Sequence, residues 1–404
     1  MLKDKQIVVV VTGGIAAYKI PLLVRGLIKR GARVRVAMTS TATKFVTRET
    51  LEVLTHYPVL TETSSTYPDD VPHIALADWA DYALIAPATA NTIGKLANGI
   101  ADNEALSALL AMDVPTLVIP AMNQHMWAHP AVMRNVQTLR HDGYYVLEPA
   151  VGYLAEGYEG KGRMIDVESI QYAMEALIAN TESEVPSLAG EKIAISLGGT
   201  EEVIDPVRYL TNRSSGKMGL ALAYTAVLAG AEVTIMPTPV AQTLPMLSEF
   251  HVEPVSDARS LERAMLQANQ ESSIVVMAAA VSDYRAQQVS SQKIKKQTQQ
   301  EQALTLALAE NPDILAELDN QTTYLVGFAA ETQDVENYAR QKLQRKGADM
   351  IVANDVSDQT IGFGSRDNAV KIITKTTATA VPKQSKLGIA AQIWRAVQAD
   401  KKHK

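Results

Sequence analysis

Short runs of β-branched and other apolar residues alternate with amphipathic stretches along the first half of the chain. The strands that these runs predict are 7–11, 33–38, 82–86, 116–119 and 144–147. Between the first two, residues 17–29 carry leucine and isoleucine at helical spacing, which predicts a helix. Repeated strand–helix–strand units favour a parallel sheet that is covered by helices.

A polar segment interrupts this pattern, which then resumes. Residues 180–187 are short-chained and include a proline, which is typical of a linker. Beyond it, the pattern predicts strands at 192–197, 232–236, 273–280, 324–328 and 350–353 and helices at 218–229, 257–269 and 335–346. The Gln/Ser/Lys-rich segment 290–301 is predicted to be an exposed loop. We therefore expect two doubly wound, Rossmann-like α/β domains with mostly parallel sheets, at 1–180 and 191–404, joined by a linker at 181–190.

Composition narrows the possible functions. The chain has 404 residues, a formal net charge of −6 and no basic tail, so neither a nucleic acid nor a membrane is an expected partner. Hydrophobic residues make up 47% and charged residues 20%, which predicts ordered cores. There is no cysteine, no apolar run approaches the roughly 18 residues of a membrane span, and the first strand begins too early for a signal peptide. We expect a cytoplasmic protein.

Both halves begin with a strand, a glycine pair and a helix, at Gly13-Gly14 and Gly198-Gly199. Such a pair lets the backbone approach a phosphate at a helix N-terminus, although it is also compatible with a simple tight turn. The Gly-x-Gly-x-x-Gly fingerprint and its ribose-binding carboxylate are missing, and the second strand is followed by the Thr39 and Ser40 hydroxyls. These groups suit a mononucleotide phosphate better than the ribose of NAD.

Longer motifs carry a resemblance to known families. Segments 13–19, 73–81, 87–92 and 120–127 are similar to the signature of flavin-dependent cysteine decarboxylases. Segments 205–208, 212–219, 279–284, 293–296, 311–314, 327–332 and 353–356 resemble phosphopantothenate–cysteine ligases. In this order, over nearly the whole chain, the segments resemble the bifunctional coenzyme A biosynthesis proteins of bacteria.

For the first half, the resemblance implies a flavodoxin-like domain that binds FMN. The implied cofactor-binding residues are Gly13, Gly14, Ser40, Pro87, Thr89 and Asn91. His73 matches the catalytic histidine of the family, and Asn123 matches the asparagine that grips the substrate carboxylate. The resemblance also implies a homo-oligomer, with trimers that hold FMN at subunit contacts and associate into dodecamers.

One position departs from the bacterial family pattern. The segment 152–164 has Glu156 where the family has the cysteine that assists the return of electrons to the enethiol product. Glu156 is therefore the candidate acid, a role that requires burial or a neighbouring carboxylate to keep it protonated at neutral pH. We expect the reductive step to be slow, or the reaction to stop at the enethiol.

For the second half, the resemblance implies that CTP activates 4'-phosphopantothenate to an acyl-cytidylate, which cysteine then attacks. Asn212 matches the residue that handles this intermediate, and Lys293 matches the activation lysine. The implied CTP-binding positions are Ala279, Asp283, Lys293, Pro312, Asp313, Ile314, Leu315, Phe328, Lys342 and Lys346. Lys342 and Lys346 are four residues apart, on one face of a predicted helix. Mg²⁺ is expected with CTP, but its ligands are not assignable from the sequence.

The expected function is synthesis of phosphopantothenoylcysteine followed by its FMN-dependent decarboxylation to 4'-phosphopantetheine. Two alternatives remain at this point: a ligase whose decarboxylase half is impaired, and a non-catalytic flavoprotein that regulates a partner. Retention of Asn212, Lys293 and the two helix lysines argues against a pure regulator.

Overall fold

The structure, a computed structural model, describes residues 1–62, 71–295, 304–331, 334–355, 365 and 367–402, with the backbone alone at 331 and 355. Its contacts divide the chain into two compact units. The first unit comprises Met1–Thr181 together with Pro245–Glu249, and the second comprises Glu182–Leu244 together with Phe250–Lys404.

The first unit alternates strands with helices. Its strands are β1 (Gln6–Val11), β2 (Arg33–Met38), β3 (Tyr82–Ala88), β4 (Thr116–Pro120), β5 (Tyr145–Val146), β6 (Ala150–Tyr153) and β7 (Glu159–Arg163). Its helices are α1 (Ile20–Lys29), α2 (Arg48–Thr55), α3 (Pro72–Trp79), α4 (Ala90–Ala97), α5 (Glu104–Ala111), α6 (Gln124–Trp127), α7 (Pro130–His141) and α8 (Val167–Glu182). Two short 3-10 helices lie at Ile15–Lys19 and Ala42–Lys44.

Five of these strands form a parallel sheet in the order β2-β1-β3-β4-β5, which is the flavodoxin-like order. Val8 to Val11 of β1 are completely buried, because helices cover both faces of the sheet. The chain order reverses between β1 and β3, and ligands of such folds bind at the carboxyl ends of the strands beside this switch point.

Three details of the first unit differ from the sequence prediction. The helix predicted at 17–29 is divided, since its first residues form a 3-10 turn and α1 begins at Ile20 with Pro21 in its first turn. The predicted linker is shorter, because α8 continues through Asn180 to Glu182 and buries Leu177 and Ile178. The β6–β7 hairpin was not predicted, because its Gly-rich second strand lacks apolar alternation.

The second unit contains the remaining twelve described strands and five described helices. The strands are β8 (Lys192–Leu197), β9 (Glu201–Asp205), β10 (Arg208–Thr211), β11 (Glu232–Pro237), β12 (His251–Val252), β13 (Ile274–Met277), β14 (Tyr284–Ala286), β15 (Leu308–Glu310), β16 (Tyr324–Glu331), β17 (Met350–Asp355), β18 (Asp367–Thr374) and β19 (Ala378–Ser385). The helices are α9 (Lys217–Leu228), α10 (Ala258–Asn269), α11 (Ile314–Glu317), α12 (Val335–Lys346) and α13 (Lys386–Lys401).

Within the described residues, eight strands form a sheet in the order β12-β11-β8-β13-β16-β17-β18-β19. The strands from β12 to β17 are parallel, and β18 and β19 extend the sheet in antiparallel fashion. The predicted strand 273–280 is shorter than expected, since β13 ends at Met277. Of the predicted loop 290–301, residues 296–301 lie outside the described residues, as do Thr332 and Val356 of the quoted motifs.

Candidate active sites

The first unit has a cavity of about 820 Å³ at the carboxyl ends of β1 to β4. Each strand contributes residues that immediately follow it: Gly13 and Gly14 after β1, Ser40 after β2, Thr89 after β3 and Asn123 after β4. The wall is completed by Asn91, by Glu156 and by residues of the hairpin that β6 and β7 form, which we call the clamp hairpin. The topology therefore brings together side chains from five separate sequence segments.

Close backbone packing shapes the entrance to this cavity. A Cβ atom at Gly13 would lie 2.4 Å from Cβ of Thr41, so only glycine fits there. Thr12, which sequence reasoning missed, is buried and connects β1 to the loop after β3. Its hydroxyl donates to the Pro87 carbonyl oxygen at 2.6 Å and accepts from the Thr89 N–H at 3.1 Å.

Two predicted residues do not line the cavity. Pro87 contributes its carbonyl oxygen to Thr12 but is not part of the wall. His73 lies on α3, where its Nδ1 is 3.0 Å from a carboxylate oxygen of Glu104 on α5. The structure therefore does not bring His73 together with Asn123 inside one copy of the chain.

Asn123 is the centre of a small hydrogen-bond cluster. Its Oδ1 caps α6 by accepting from the His125 N–H at 2.8 Å. Its Nδ2 donates to the Glu156 carboxylate at 3.0 Å and to the Tyr158 hydroxyl at 2.6 Å. The hydrogen bond from Asn123 lowers the pKa of the exposed Glu156 carboxyl. Glu156 thus lacks the raised pKa that a proton donor at this position requires.

Two positively charged side chains that line the first cavity were not predicted from the sequence. Lys19 and Arg163 share one carboxylate, that of Asp166, at 3.8 and 3.1 Å. Burial and the charge of Arg163 lower the pKa of Lys19. They are distant in sequence, and only the fold shows that they converge.

The second unit has its own cavity, of about 910 Å³. Ten predicted residues line it: Asn212, Ala279, Asp283, Pro312, Asp313, Ile314, Leu315, Phe328, Lys342 and Lys346. They come from the segment before α9, from the loops after β13 and β15, and from β16 and α12. Lys342 donates to the Phe328 carbonyl oxygen at 2.8 Å, and Lys346 forms an ion pair with Asp313.

Asn212 is held by the loop that follows β13. Its Nδ2 donates to the carbonyl oxygens of Ala280 and Val281, at 3.3 and 3.0 Å. The glycine pair Gly198-Gly199, by contrast, does not line the cavity. A Cβ at Gly198 would lie 1.9 Å from Thr238 Oγ1, and its φ of +102° is in the left-handed region, so this turn requires glycine there.

Lys293 is exposed and does not line the cavity, but the backbone beside it is firmly anchored. The buried Asp205 carboxylate accepts from the Ile294 N–H at 3.1 Å, and Arg208 donates to the Ile294 carbonyl oxygen at 2.9 Å. Hydrogen bonds from Arg208 are the main cause that lowers the pKa of Asp205. Lys296, the last residue of the Lys293 motif, lies outside the described residues.

Two further lysines reach the second cavity from helix N-termini. Lys217 is the first residue of α9, and the buried Lys386 is the first residue of α13. Burial, and next the charge of Lys217, lower the pKa of Lys386 to about 8. These lysines are far apart in sequence, and no pattern connects them.

This pKa predicts how stability depends on pH. An unfolded lysine has a pKa of about 10.4, so between about pH 8 and 10.4 the unfolded chain binds more protons at Lys386 than the folded chain does. The Lys386 contribution to the free energy of unfolding therefore rises across this range. Lys386→Met should be more stable than the parent at pH 7, with an advantage that shrinks towards pH 10. Urea unfolding at several pH values measures the difference in stability. Lys383→Met, at an exposed position, is the control. A similar pH trend in the control would contradict the attribution of the effect to the buried Lys386.

Among the described residues, no group of three or more histidine and carboxylate side chains is arranged to hold a metal ion. Within the same residues, no helix has the length and apolar character that crossing a membrane requires.

Comparison with known proteins matches both halves. The Flavoprotein family matches residues 1–179, and the family described as DNA/pantothenate metabolism flavoprotein C-terminal domain matches residues 188–400. The Coenzyme A biosynthesis bifunctional protein CoaBC of Bacillus subtilis (strain 168) is 45% identical over 404 residues, which cover 99% of this chain and 98% of the relative. The protein of the same name from Escherichia coli (strain K12) is 42% identical over 389 residues, with coverage of 95% and 94%.

A solved C-terminal domain of a CoaBC protein is similar to the second half. It is 34% identical, with a TM-score of 0.45, and the match covers 54% of this chain and 98% of that domain. The family matches and the full-length relatives agree with the motif resemblance and with the two units of the fold. The chain belongs to the family of bifunctional coenzyme A biosynthesis proteins, with a flavoprotein half followed by a ligase half.

Proposed function

We propose that the chain joins 4'-phosphopantothenate to cysteine with CTP and then decarboxylates the product to 4'-phosphopantetheine with FMN. The observation that carries this proposal is the presence of two cavities, one in each unit, each lined by the motif residues of one activity. The cytoplasmic location expected from the sequence is part of the proposal.

The first cavity has the features that FMN requires. Its volume of about 820 Å³ lies in the range of small-molecule sites. The Gly13-Gly14 backbone and the Ser40 and Thr89 hydroxyls are suited to the phosphate, and Asn91 offers both a donor and an acceptor to the ring. Bound FMN supplies two-electron redox chemistry, which oxidises the cysteine-derived thiol so that the carbanion left by CO₂ is delocalised.

Asn123 holds the carboxylate that is lost. Its Nδ2 already donates to a carboxylate, that of Glu156, at 3.0 Å. A substrate carboxylate would take the place of Glu156 at this amide, since two carboxylates repel each other. The role of Glu156 in this state is to move away and leave the amide to the substrate carboxylate.

His73 acts, in this proposal, on the cavity of a neighbouring copy. It is partly exposed on α3, outside the cavity of its own chain. Exposed apolar side chains of the first unit, such as Tyr18, Leu22 and Met126, offer surface for the contact. We propose trimers with FMN at the subunit contacts, and dodecamers built from them.

The second cavity performs the ligation. Phe328 and the segment 312–315, which includes the start of α11, provide a partly apolar wall for the cytosine. Lys342 and Lys346 place positive charge near the phosphates. Lys293 and Mg²⁺ offset the negative charge of the leaving pyrophosphate. Asn212 holds the acyl-cytidylate while the cysteine amine attacks it.

The test uses the purified full chain. We expect a visible flavin spectrum, directly or after reconstitution with FMN. With 4'-phosphopantothenate, cysteine and CTP, the chain should release pyrophosphate, CMP and CO₂. EDTA should suppress the release of pyrophosphate until Mg²⁺ is restored. CTP consumption without CO₂ would favour the ligase with an impaired decarboxylase. A flavin spectrum without CTP consumption would favour the regulatory flavoprotein. A folded chain that never acquires flavin absorbance would refute the FMN site.

A further inference from the structure

The turn of the clamp hairpin delivers two side chains, not one, to Asn123. The Leu154 N–H donates to the Tyr158 carbonyl oxygen at 2.8 Å and the Gly157 N–H to the Leu154 carbonyl oxygen at 3.1 Å, which closes the turn. Glu156 and Tyr158 then meet the same amide at 3.0 and 2.6 Å. Tyr158 does not itself line the cavity, but this hydrogen bond joins its hydroxyl to Asn123, which does.

Close packing fixes the hairpin against the segment that carries Asn123. The Met122 N–H donates to the Gly162 carbonyl oxygen at 3.0 Å. A Cβ at Gly162 would lie 2.0 Å from the Met122 carbonyl oxygen, so β7 lies as close to this segment as a glycine permits. Tyr158, which directly precedes β7, therefore has a defined position relative to Asn123.

The two side chains differ in their ability to give up a proton. Glu156 is exposed and its pKa is lowered, so it is a carboxylate at neutral pH and has no proton to donate. A tyrosine hydroxyl is both a donor and an acceptor, and tyrosine is one of the side chains that enzymes use as general acids. Because Tyr158 accepts from Asn123 and is partly exposed, its own O–H proton is left for another acceptor.

We propose that Tyr158 is the proton donor of the reductive half of the decarboxylation, in place of the cysteine that this chain lacks. This inference rests on the proposed function of the first unit. If Asn123 holds the substrate carboxylate, the Tyr158 hydroxyl lies beside the carbon from which CO₂ departs.

The Tyr158 O–H bond breaks, and the proton adds to the carbon that lost CO₂, with the carbon–carbon π pair of the enethiolate forming the new C–H bond. The sulfur-bearing carbon becomes a thioaldehyde. That carbon is then reduced to the saturated thiolate by a hydride equivalent, which bound FMN would supply from the two electrons that were removed from the thiol in the oxidative half. The Tyr158 phenolate regains a proton from solvent.

The experiment follows one turnover of the flavin-loaded full chain with phosphopantothenoylcysteine, without oxygen. Tyr158→Phe should release CO₂ and lose the oxidised-flavin absorbance as the parent does. Its absorbance should then return more slowly, on the order of 10²–10⁴-fold, and unsaturated thiol should accumulate. The KM for substrate should change little, because Asn123 remains. Tyr145→Phe is the matched control, because Tyr145 lies on β5 and Asn123 donates to Glu156 and Tyr158 but not to it.

Two further variants separate the possible donors. Adding Glu156→Cys to Tyr158→Phe should restore saturated product, because a thiol returns to the family's position. Saturated product from Tyr158→Phe at the parent's rate would overturn the inference. So would a parent that releases CO₂ but forms only the unsaturated thiol, and so would accumulation of that thiol in Glu156→Gln alone. A flavin-loaded parent that releases no CO₂ would instead refute the proposed function, and the inference with it.

Discussion

Lys293→Gln is expected to slow pyrophosphate release from CTP by on the order of 10²–10³-fold, the typical effect of removing one preorganised electrostatic contact. Lys293 is exposed, but Asp205 and Arg208 hold both backbone polar groups of the adjacent Ile294. The base of the lysine is therefore ordered even though its side chain lies in solvent. Single-turnover measurements with saturating 4'-phosphopantothenate and CTP test this, and Lys295→Gln, from the same exposed segment, is the matched control.

Asn212→Asp should affect the later step instead. The parent amide donates to the Ala280 and Val281 carbonyl oxygens, whereas a carboxylate can donate to neither and would face both. Pyrophosphate should still be released, but little amide product should form, so that the acyl-cytidylate accumulates. If both variants lose the same step, or if ATP serves as well as CTP, this division of roles is wrong.

Mixing two inactive variants of the first unit should restore decarboxylation. His73→Asn and Asn123→Asp should each abolish CO₂ release, because each removes one of the two residues that a cavity needs. If His73 serves a neighbouring copy, co-expression should recover activity in about a quarter of the cavities of a randomly mixed cyclic oligomer. CO₂ release by the co-purified mixture measures this.

The mixing experiment would give no activity if His73 acted within its own chain. If His73 served the cavity of its own chain, every cavity in the mixture would carry one defect and no activity would return. Separately purified variants that are mixed without subunit exchange should stay inactive, which provides the control.

Sequence patterns predicted the regular parts of the fold well, because buried parallel strands such as β1 are continuous apolar runs. These patterns failed where a close approach of the backbone, rather than the burial of apolar side chains, determines the structure. The glycines of β7 look like a loop in the sequence, yet they allow the close approach to Met122. Gly198-Gly199 follows the same local pattern as Gly13-Gly14, but it does not line the cavity of its unit.

Sequence patterns likewise predicted only some of the residues that line the two candidate sites. Residues within the quoted motifs, such as Asn123 and Lys342, line the cavities because each motif follows a strand or lies on a helix at the correct edge of a sheet. Lys386 and Arg163 depend on elements that are distant in sequence, and a single sequence contains no signal for such convergence. The position of His73 outside its own cavity is likewise a property of the tertiary structure.

The two borders of the eight-stranded sheet have a consequence for how copies of the chain associate. On one side β12 has only two residues, and on the other β19 carries Pro382 and Lys383. Proline has no N–H to offer to another strand, and lysine opposes the approach of a like edge. Within the described residues, both borders therefore disfavour continuation of the sheet by a strand from another copy. In the proposed oligomer, this would limit edge-to-edge aggregation at the high local concentration of the subunits.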